Sequence, residues 1–194
     1  IADEIYSELT YGKRHCSIAS FDELKDRVVL ISGFSKTFAM TGWRIGFVAG
    51  PKQIKDTLLK IHQYSAICAP IFSQYGALAG LKTGKDNNFL TIEKMKEEYD
   101  KRRKFVFNSF KEMGLSCFEP EGAFYIFPCV KDTGLTGEEF ATGLLESKKV
   151  AVVPGDAFGE FGKYYVRCSY AYSMKTLAEA LKRIKEYVEE LKGN

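Results

Sequence analysis

The sequence has no long apolar segment, no closely spaced cysteine pair and no large excess of charge of either sign. No window approaches the roughly 20 apolar residues of a membrane helix, and we expect neither such a helix nor a signal peptide. The 28 basic residues nearly balance 25 acidic ones, and the net charge of +3 is spread along the chain. This distribution indicates no nucleic-acid stripe and no membrane-binding patch.

The cysteines argue against disulfides and against a metal centre. They are odd in number, widely spaced, and lack both a CxxC pair and a nearby histidine at metal-ligand spacing. The five are Cys16, Cys68, Cys117, Cys129 and Cys168. We therefore expect reduced thiols in a cytoplasmic protein without a metal.

The sequence contains enough hydrophobic residues to form a folded core. Hydrophobic residues make up 45% and aromatic residues 14% of the 194 positions, which suits one large domain or two small ones. The chain starts with Ile1 rather than methionine, and residues 1–6 have the pattern of a strand already under way. We therefore expect residues upstream of Ile1.

Strand and helix patterns alternate along the whole chain. Short apolar runs predict strands at 28–31, 44–48, 123–127, 150–153 and 164–169. Helical spacing predicts helices after Pro51, at 74–81, at 92–113, after a capping box at 136–139 and after Ser173. Gly84 and the polar residues 85–88 suggest a boundary between parts 1–85 and 86–194. The fold class is therefore α/β or α+β, in two parts. Within the long helix predicted at 92–113, we expect Arg102 and Arg103 to be exposed to solvent.

The segment from Ser32 to Gly46 contains the best candidate for chemistry. It places Lys36 in a Gly/Ser/Thr loop after a buried strand, where α/β sheets gather their ligands. A lysine half enclosed by apolar neighbours loses hydration as an ammonium ion and becomes a better nucleophile. Arg44 could grip a phosphate, and small hydroxyl residues beside the lysine could donate to it. On composition alone, a solvent-exposed lysine is the ordinary alternative.

The same run of some fifteen residues resembles the lysine signature of the class I/II aminotransferases. These enzymes share the fold of the aspartate aminotransferase superfamily, fold type I, and use pyridoxal 5′-phosphate (PLP). The resemblance implies that Lys36 holds PLP as a Schiff base and acts as the general base. It also implies that residues 1–85 are the rest of the large α/β/α PLP-binding domain and that residues 86–194 are the small α+β domain. Segments 120–125 and 153–158 resemble further family motifs, which we take as architecture.

Asp3 and Tyr6 match a second family motif, an Asp-x-x-Tyr pair about thirty residues before the lysine. The resemblance implies that Asp3 pairs with the pyridine nitrogen of PLP and that the Tyr6 hydroxyl binds the ring oxygen. A carboxylate at this place keeps the ring nitrogen protonated, so that the ring can withdraw electrons from the substrate. Residues three apart on an unbroken strand point to opposite faces, so we expect the strand to turn after about Ile5.

Arg167 matches the arginine of the family's C-terminal strand, which binds the α-carboxylate of the substrate. A planar guanidinium suits this task because it donates two parallel hydrogen bonds to a carboxylate. Without the resemblance, a surface ion pair would be the ordinary expectation for such an arginine. Some family members have serine where this chain has Gly33, and Ser35 is then the expected phosphate donor beside Arg44.

The resemblance implies an amino-group transfer between an L-amino acid and a 2-oxo acid, in a homodimer with active sites at the subunit interface. The most similar types are the bacterial aspartate/aromatic and N-acetyl-diaminopimelate aminotransferases. Family chains are about twice as long, and their phosphate-binding turn, ring-stacking aromatic and ring-oxygen asparagine would lie upstream. Two alternatives stay open: a PLP-dependent C–S lyase or related enzyme of the same fold, and a non-catalytic aminotransferase-like regulatory domain.

Overall fold

The computed structural model describes residues 1–193. They group into two compact units, Ile1–Lys96 and the residues from Glu97 onward. Strands and helices alternate in the order expected from the sequence, and the predicted α/β class is confirmed. Across the described residues, no helix is both long and apolar enough to cross a membrane.

The first unit contains a small mixed sheet. Its strands are β1 (Ala2–Asp3), β2 (Leu30–Gly33) and β3 (Gly46–Ala49), in the order β1-β2-β3. β1 and β2 run parallel with Asp3 opposite Ile31, whereas β2 and β3 run antiparallel with Gly33 opposite Gly46. The carboxyl ends of β1 and β2 therefore meet at one edge of the sheet.

Two helices follow the sheet, and both begin directly after a proline. They are α1 (Lys52–Ala66) and α2 (Ile71–Asp86), the second being longer at both ends than the predicted helix 74–81. Within α1 no residue is buried, and the predicted apolar face at Ile54, Leu58 and Ile61 is 38–59% exposed. The amphipathic pattern of α1 thus has no covering layer within this unit.

The long helix α3 (Leu90–Glu112) corrects one expectation. Arg103 is only 7% exposed rather than solvated. Its guanidinium pairs with Asp100 at 2.7 Å and with Glu119 at 2.6 Å, and it also donates to the Pro120 carbonyl at 3.0 Å. Burial of a charge is tolerated when it is paired and hydrogen-bonded in this way.

The second unit packs helices against a second small sheet. Its elements are β4 (Tyr125–Ile126), α4 (Gly137–Lys148), β5 (Val153–Pro154), β6 (Val166–Ser169) and α5 (Met174–Lys192), and the sheet order is β4-β6-β5 with antiparallel pairs. The capping box at Thr136 and Glu139 and the cap at Ser173 are both confirmed. The apolar face of α5 is buried as predicted, at Leu177, Leu181, Ile184 and Val188.

The strands of this unit are shorter than the apolar runs that predict them. The run 123–127 gives a strand of two residues, because Ala123 has φ of 58° and leaves the extended region. A left-handed residue cannot continue a strand. The sheet therefore depends on a few pairs around β6, the strand that carries Arg167.

Candidate active site

The turn after β1 brings Asp3 and Tyr6 to the edge where β1 and β2 end. The Asp3 carboxylate accepts a hydrogen bond from the Ile5 backbone N–H at 3.1 Å. Two further backbone bonds, from Ser7 to the Glu4 carbonyl and from Leu9 to the Tyr6 carbonyl, continue the turn. The predicted break of the strand before Tyr6 is thus present, and it begins at Ile5.

Lys36 lies in a second turn at the same edge, directly after β2. The Phe38 N–H donates to the Phe34 carbonyl at 3.1 Å, and the Ala39 N–H donates to the Lys36 carbonyl at 3.3 Å. The side chain of Lys36 is half-buried, and its Nζ atom lies 5.6 Å from the centroid of the Tyr6 ring. Two residues that are thirty positions apart in the sequence therefore meet at this edge.

An apolar cluster fixes the base of the Lys36 turn. The Phe34 and Phe38 rings are in contact, with centroids 5.4 Å apart and planes tilted by 40°, and both pack against Met40, Ile45 and Ala77. The turn is thereby held between the end of β2 and helix α2. An anchored backbone limits the positions that the lysine amine can reach, which favours a prearranged site.

The two residues expected to bind the phosphate, Ser35 and Arg44, differ in exposure and in backbone conformation. Ser35 is half-buried and directly precedes Lys36 in the turn. Arg44 does not start a strand as predicted: it has φ of 51°, and it ends a short 3-10 turn at Thr41–Trp43. Its exposed guanidinium donates through Nη1 to the Thr41 carbonyl at 2.7 Å. The turn thus directs Arg44 by a backbone conformation that non-glycine residues rarely adopt.

Gly33 is required by the close approach of two strands. A Cβ atom at this position would lie 2.9 Å from the Gly46 Cα and 3.0 Å from the Ile45 carbonyl oxygen. Both contacts are with backbone, which cannot rotate away. The departure from those family members that have serine here is therefore explained by the β2–β3 pairing in this chain.

The Glu4 carboxylate, beside Asp3, is largely buried, and no sequence pattern predicts this. The Glu4 side chain is 9% exposed and accepts hydrogen bonds from His15 at 2.9 Å, Ser17 at 3.0 Å and the Ile18 N–H at 3.2 Å. Burial raises the pKa of Glu4, but the hydrogen bonds from His15, Ser17 and Ile18 outweigh it and leave the pKa below its usual range. These contacts tie the turn that carries Asp3 and Tyr6 to the segment 15–18.

Arg167 lies on β6 in the second unit, opposite Val153 of β5. The Cζ atom of its guanidinium lies 4.4 Å from the centroid of the Tyr125 ring and 4.5 Å from that of Phe158. Arg167 and Tyr125 border a cleft of about 810 Å³, which Val153 and Tyr172 also line. Within the second unit, Arg167 therefore contacts aromatic rings and does not form the surface ion pair that is the ordinary alternative.

Comparison with known proteins agrees with these features. Residues 1–184 match the family described as aminotransferase class I and II. The aspartate aminotransferase of Pyrococcus abyssi is 48% identical over 193 residues, which are 99% of this chain and 49% of that protein. A Bacillus subtilis protein named "Probable N-acetyl-LL-diaminopimelate aminotransferase" is 46% identical over 97% of this chain and 46% of its own length.

A solved structure gives the same result for the fold. The crystal structure of an aromatic aminotransferase from Pyrococcus horikoshii OT3 is 47% identical and superposes with a TM-score of 0.93, covering 98% of this chain and 50% of that one. The chain belongs to the class I and II aminotransferases. It spans about half the length of the relatives that it matches.

Proposed function

We propose that the protein containing this chain transfers an amino group between an L-amino acid and a 2-oxo acid, with PLP held at Lys36. The observation that carries the proposal is the approach of the Lys36 amine to the Tyr6 ring, 5.6 Å from its centroid, at the edge where the parallel strands β1 and β2 end. Relatives named as aspartate, aromatic and N-acetyl-LL-diaminopimelate aminotransferases support the reaction class.

The residues at this edge fit PLP by their chemistry. Lys36 offers the amine that holds the cofactor covalently, and Asp3 offers a carboxylate for the protonated ring nitrogen. Tyr6 offers a phenol for the ring oxygen. Ser35 and Arg44 offer a hydroxyl and a guanidinium for the phosphate. Arg44 donates to the Thr41 carbonyl through Nη1, and the guanidinium has further N–H groups that can bind the phosphate. When bound, PLP supplies an electron-withdrawing ring that stabilises negative charge at the substrate Cα.

This chain's residues then divide the work between binding and proton transfer. Arg167 binds the substrate α-carboxylate through the two parallel N–H donors of its guanidinium. The substrate amine displaces Lys36, and the freed Nζ takes the proton from the substrate Cα. The anchored turn around Lys36 keeps this amine close to its position while it changes partners. Lys36 thus serves both as the covalent anchor and as the general base.

The choice of substrate is proposed only as far as the relatives' names reach. We propose an aspartate, aromatic or N-acetyl-diaminopimelate type of substrate, because proteins with these names are 43–48% identical to this chain. We also propose a cytoplasmic homodimer. Support comes from the free state of all five cysteines and from large exposed apolar side chains on α1 and α2, such as Tyr64 at 95% and Phe72 at 68%.

One assay separates this function from the two alternatives. The protein that contains this chain is incubated with aspartate or an aromatic amino acid and 2-oxoglutarate, and glutamate is measured. Formation of glutamate by the native protein and its loss in Lys36→Ala support amino-group transfer. Release of ammonia and pyruvate or sulfide without glutamate would indicate a lyase, and binding of PLP without turnover would indicate a regulatory domain.

A further inference from the structure

Two aromatic rings pack against the guanidinium of Arg167. Its Cζ atom is 4.4 Å from the ring centroid of Tyr125 and 4.5 Å from that of Phe158, well inside the range of a favourable cation–π contact. A cation–π contact restrains a guanidinium without an oxygen acceptor taking up its N–H groups. These donors are therefore left for a carboxylate.

The sheet and a short turn build this pair of contacts. Tyr125 pairs with Ser169, two residues beyond Arg167 on β6, and residues two apart on a strand share a face. Phe158 ends the 3-10 turn Gly155–Phe158, and the Phe127 ring meets its ring edge-on, with centroids 5.5 Å apart and an interplanar angle of 81°. Each ring is thus placed by a contact other than the one with Arg167.

The turn that carries Phe158 is closely packed. The Gly155 N–H donates to the Tyr165 carbonyl at 2.8 Å, and the Gly159 N–H donates to the Asp156 carbonyl at 2.9 Å. A Cβ atom at Gly155 would lie 2.5 Å from the Gly162 carbonyl oxygen, so the backbone there has little room to move. Phe158 is half exposed, at 52%, yet its backbone is fixed.

Arg167 has no acid to balance it in its own unit. Over residues 97–193, the guanidinium contacts the two rings and has no carboxylate within ion-pair distance. An arginine with a structural role normally has such a partner, as Arg103 of helix α3 has in Asp100 and Glu119. The two ring contacts, and the lack of an ion-pair partner within residues 97–193, together favour a guanidinium that binds the carboxylate of a ligand.

The geometry points to Tyr125 and Phe158 as positioning residues for Arg167, a role that rests on the proposed function. The two rings fix the plane of the guanidinium so that its paired donors meet the substrate carboxylate with little loss of side-chain freedom. Without a ring, the arginine samples more rotamers, and the ground state and transition state lose carboxylate binding alike. Such a change raises KM and leaves kcat nearly constant.

The test compares three leucine variants in the protein that contains this chain. Phe158→Leu is expected to raise KM for the amino acid, and Kd for the inert carboxylate 3-phenylpropanoate, on the order of five-fold, the effect of one cation–π contact. The value of kcat is expected to stay within about two-fold. Phe161→Leu is the matched control, because Phe161 is 100% exposed in the next turn. Arg167→Leu tests the carboxylate contact itself.

Conservative variants separate positioning from general packing. Phe158→Tyr and Tyr125→Phe keep the rings and are expected to restore native KM and Kd, whereas Tyr125→Leu is expected to behave like Phe158→Leu. Equal effects of Phe158→Leu and Phe161→Leu, or a fall in kcat at constant KM, would overturn the inference. Native carboxylate binding in Arg167→Leu would instead remove the proposed substrate contact, so the two failures are distinguishable.

Discussion

The amine nitrogen of Lys36 lies 5.6 Å from the ring centroid of Tyr6, although the two residues are on different turns. Both turns leave the same edge of the β1–β2 pair, which explains how distant positions meet. The contact keeps the amine beside a phenol rather than in open solvent.

Tyr6→Phe keeps the ring against Lys36 and removes only the hydroxyl. We expect kcat/KM to fall about ten-fold, the effect of one hydrogen bond to the cofactor ring, and the visible absorbance band of bound PLP to shift. Tyr164→Phe is the control, because the Tyr164 ring lies in the second unit against Lys131 and Lys163. Native kinetics and an unchanged absorbance spectrum in Tyr6→Phe would argue against a contact between the phenol and the cofactor.

Gly33→Ser should destabilise the protein even though some family members have serine at this position. The new Cβ would meet backbone at 2.9 Å and 3.0 Å, so the strands must separate slightly, at a cost of about 1–3 kcal/mol. Gly42→Ser is the control, because no atom lies within 4 Å of the corresponding Cβ. The midpoint of thermal unfolding measures both. Equal midpoints in the two variants would show that the strands accommodate the side chain.

Glu4→Gln should reduce stability in a pH-dependent way. Because hydrogen bonds from His15, Ser17 and Ile18 leave the pKa of Glu4 below its usual range, the ionised form stabilises the folded state above the unfolded pKa of about 4.3. This contribution is lost as the pH falls through the lower, folded-state pKa. We expect a difference of about 1–2 kcal/mol from native protein at pH 7, shrinking in acid.

The control for Glu4→Gln is Glu8→Gln, since Glu8 is an exposed acid in the same turn. Urea unfolding at several pH values gives the free energy of unfolding for all three proteins. A constant difference between native protein and Glu4→Gln across the acid range would contradict the role given to the ionised carboxylate.

Cys168, next to Arg167, should be inert to alkylation in the folded protein. Burial, with a smaller effect of the nearby Cys117, raises the pKa of this thiol to about 12, so almost none is thiolate at pH 8. Cys16 and Cys68 are exposed and serve as internal controls. Iodoacetamide labelling followed by peptide mass mapping should find Cys16 and Cys68 modified first. Early modification of Cys168 would show that β6 opens readily.

The sequence predicts where Lys36 and Tyr6 lie better than it predicts the packing around them. Lys36, Asp3 and Tyr6 belong to motifs of fixed spacing, and their common edge follows from two strands that end side by side. The bond between Glu4 and His15 spans eleven residues of loop and has no periodic signal. The contacts of the two rings with Arg167 are likewise not predictable from the sequence pattern, because one ring comes from a neighbouring strand and the other from a loop.

Errors in the predicted elements have local physical causes. The strand expected at 44–48 starts at Gly46 because Arg44 takes a left-handed conformation. The helix pattern predicts a solvated Arg103, but its ion pair with Glu119, sixteen residues along the chain, makes burial of its charge tolerable. The local sequence pattern predicts neither a left-handed backbone conformation nor an ion pair with a residue that is distant in the sequence.

The central claim, that Lys36 is the covalent anchor of the cofactor, is tested most directly by borohydride reduction of the PLP-loaded protein that contains this chain. Reduction fixes the carbon–nitrogen bond, and peptide mass mapping then locates the modified lysine. We expect the pyridoxyl label on Lys36 of the native protein, and no label in Lys36→Ala. A label on another lysine of the native protein, or an unchanged label in the variant, would contradict it.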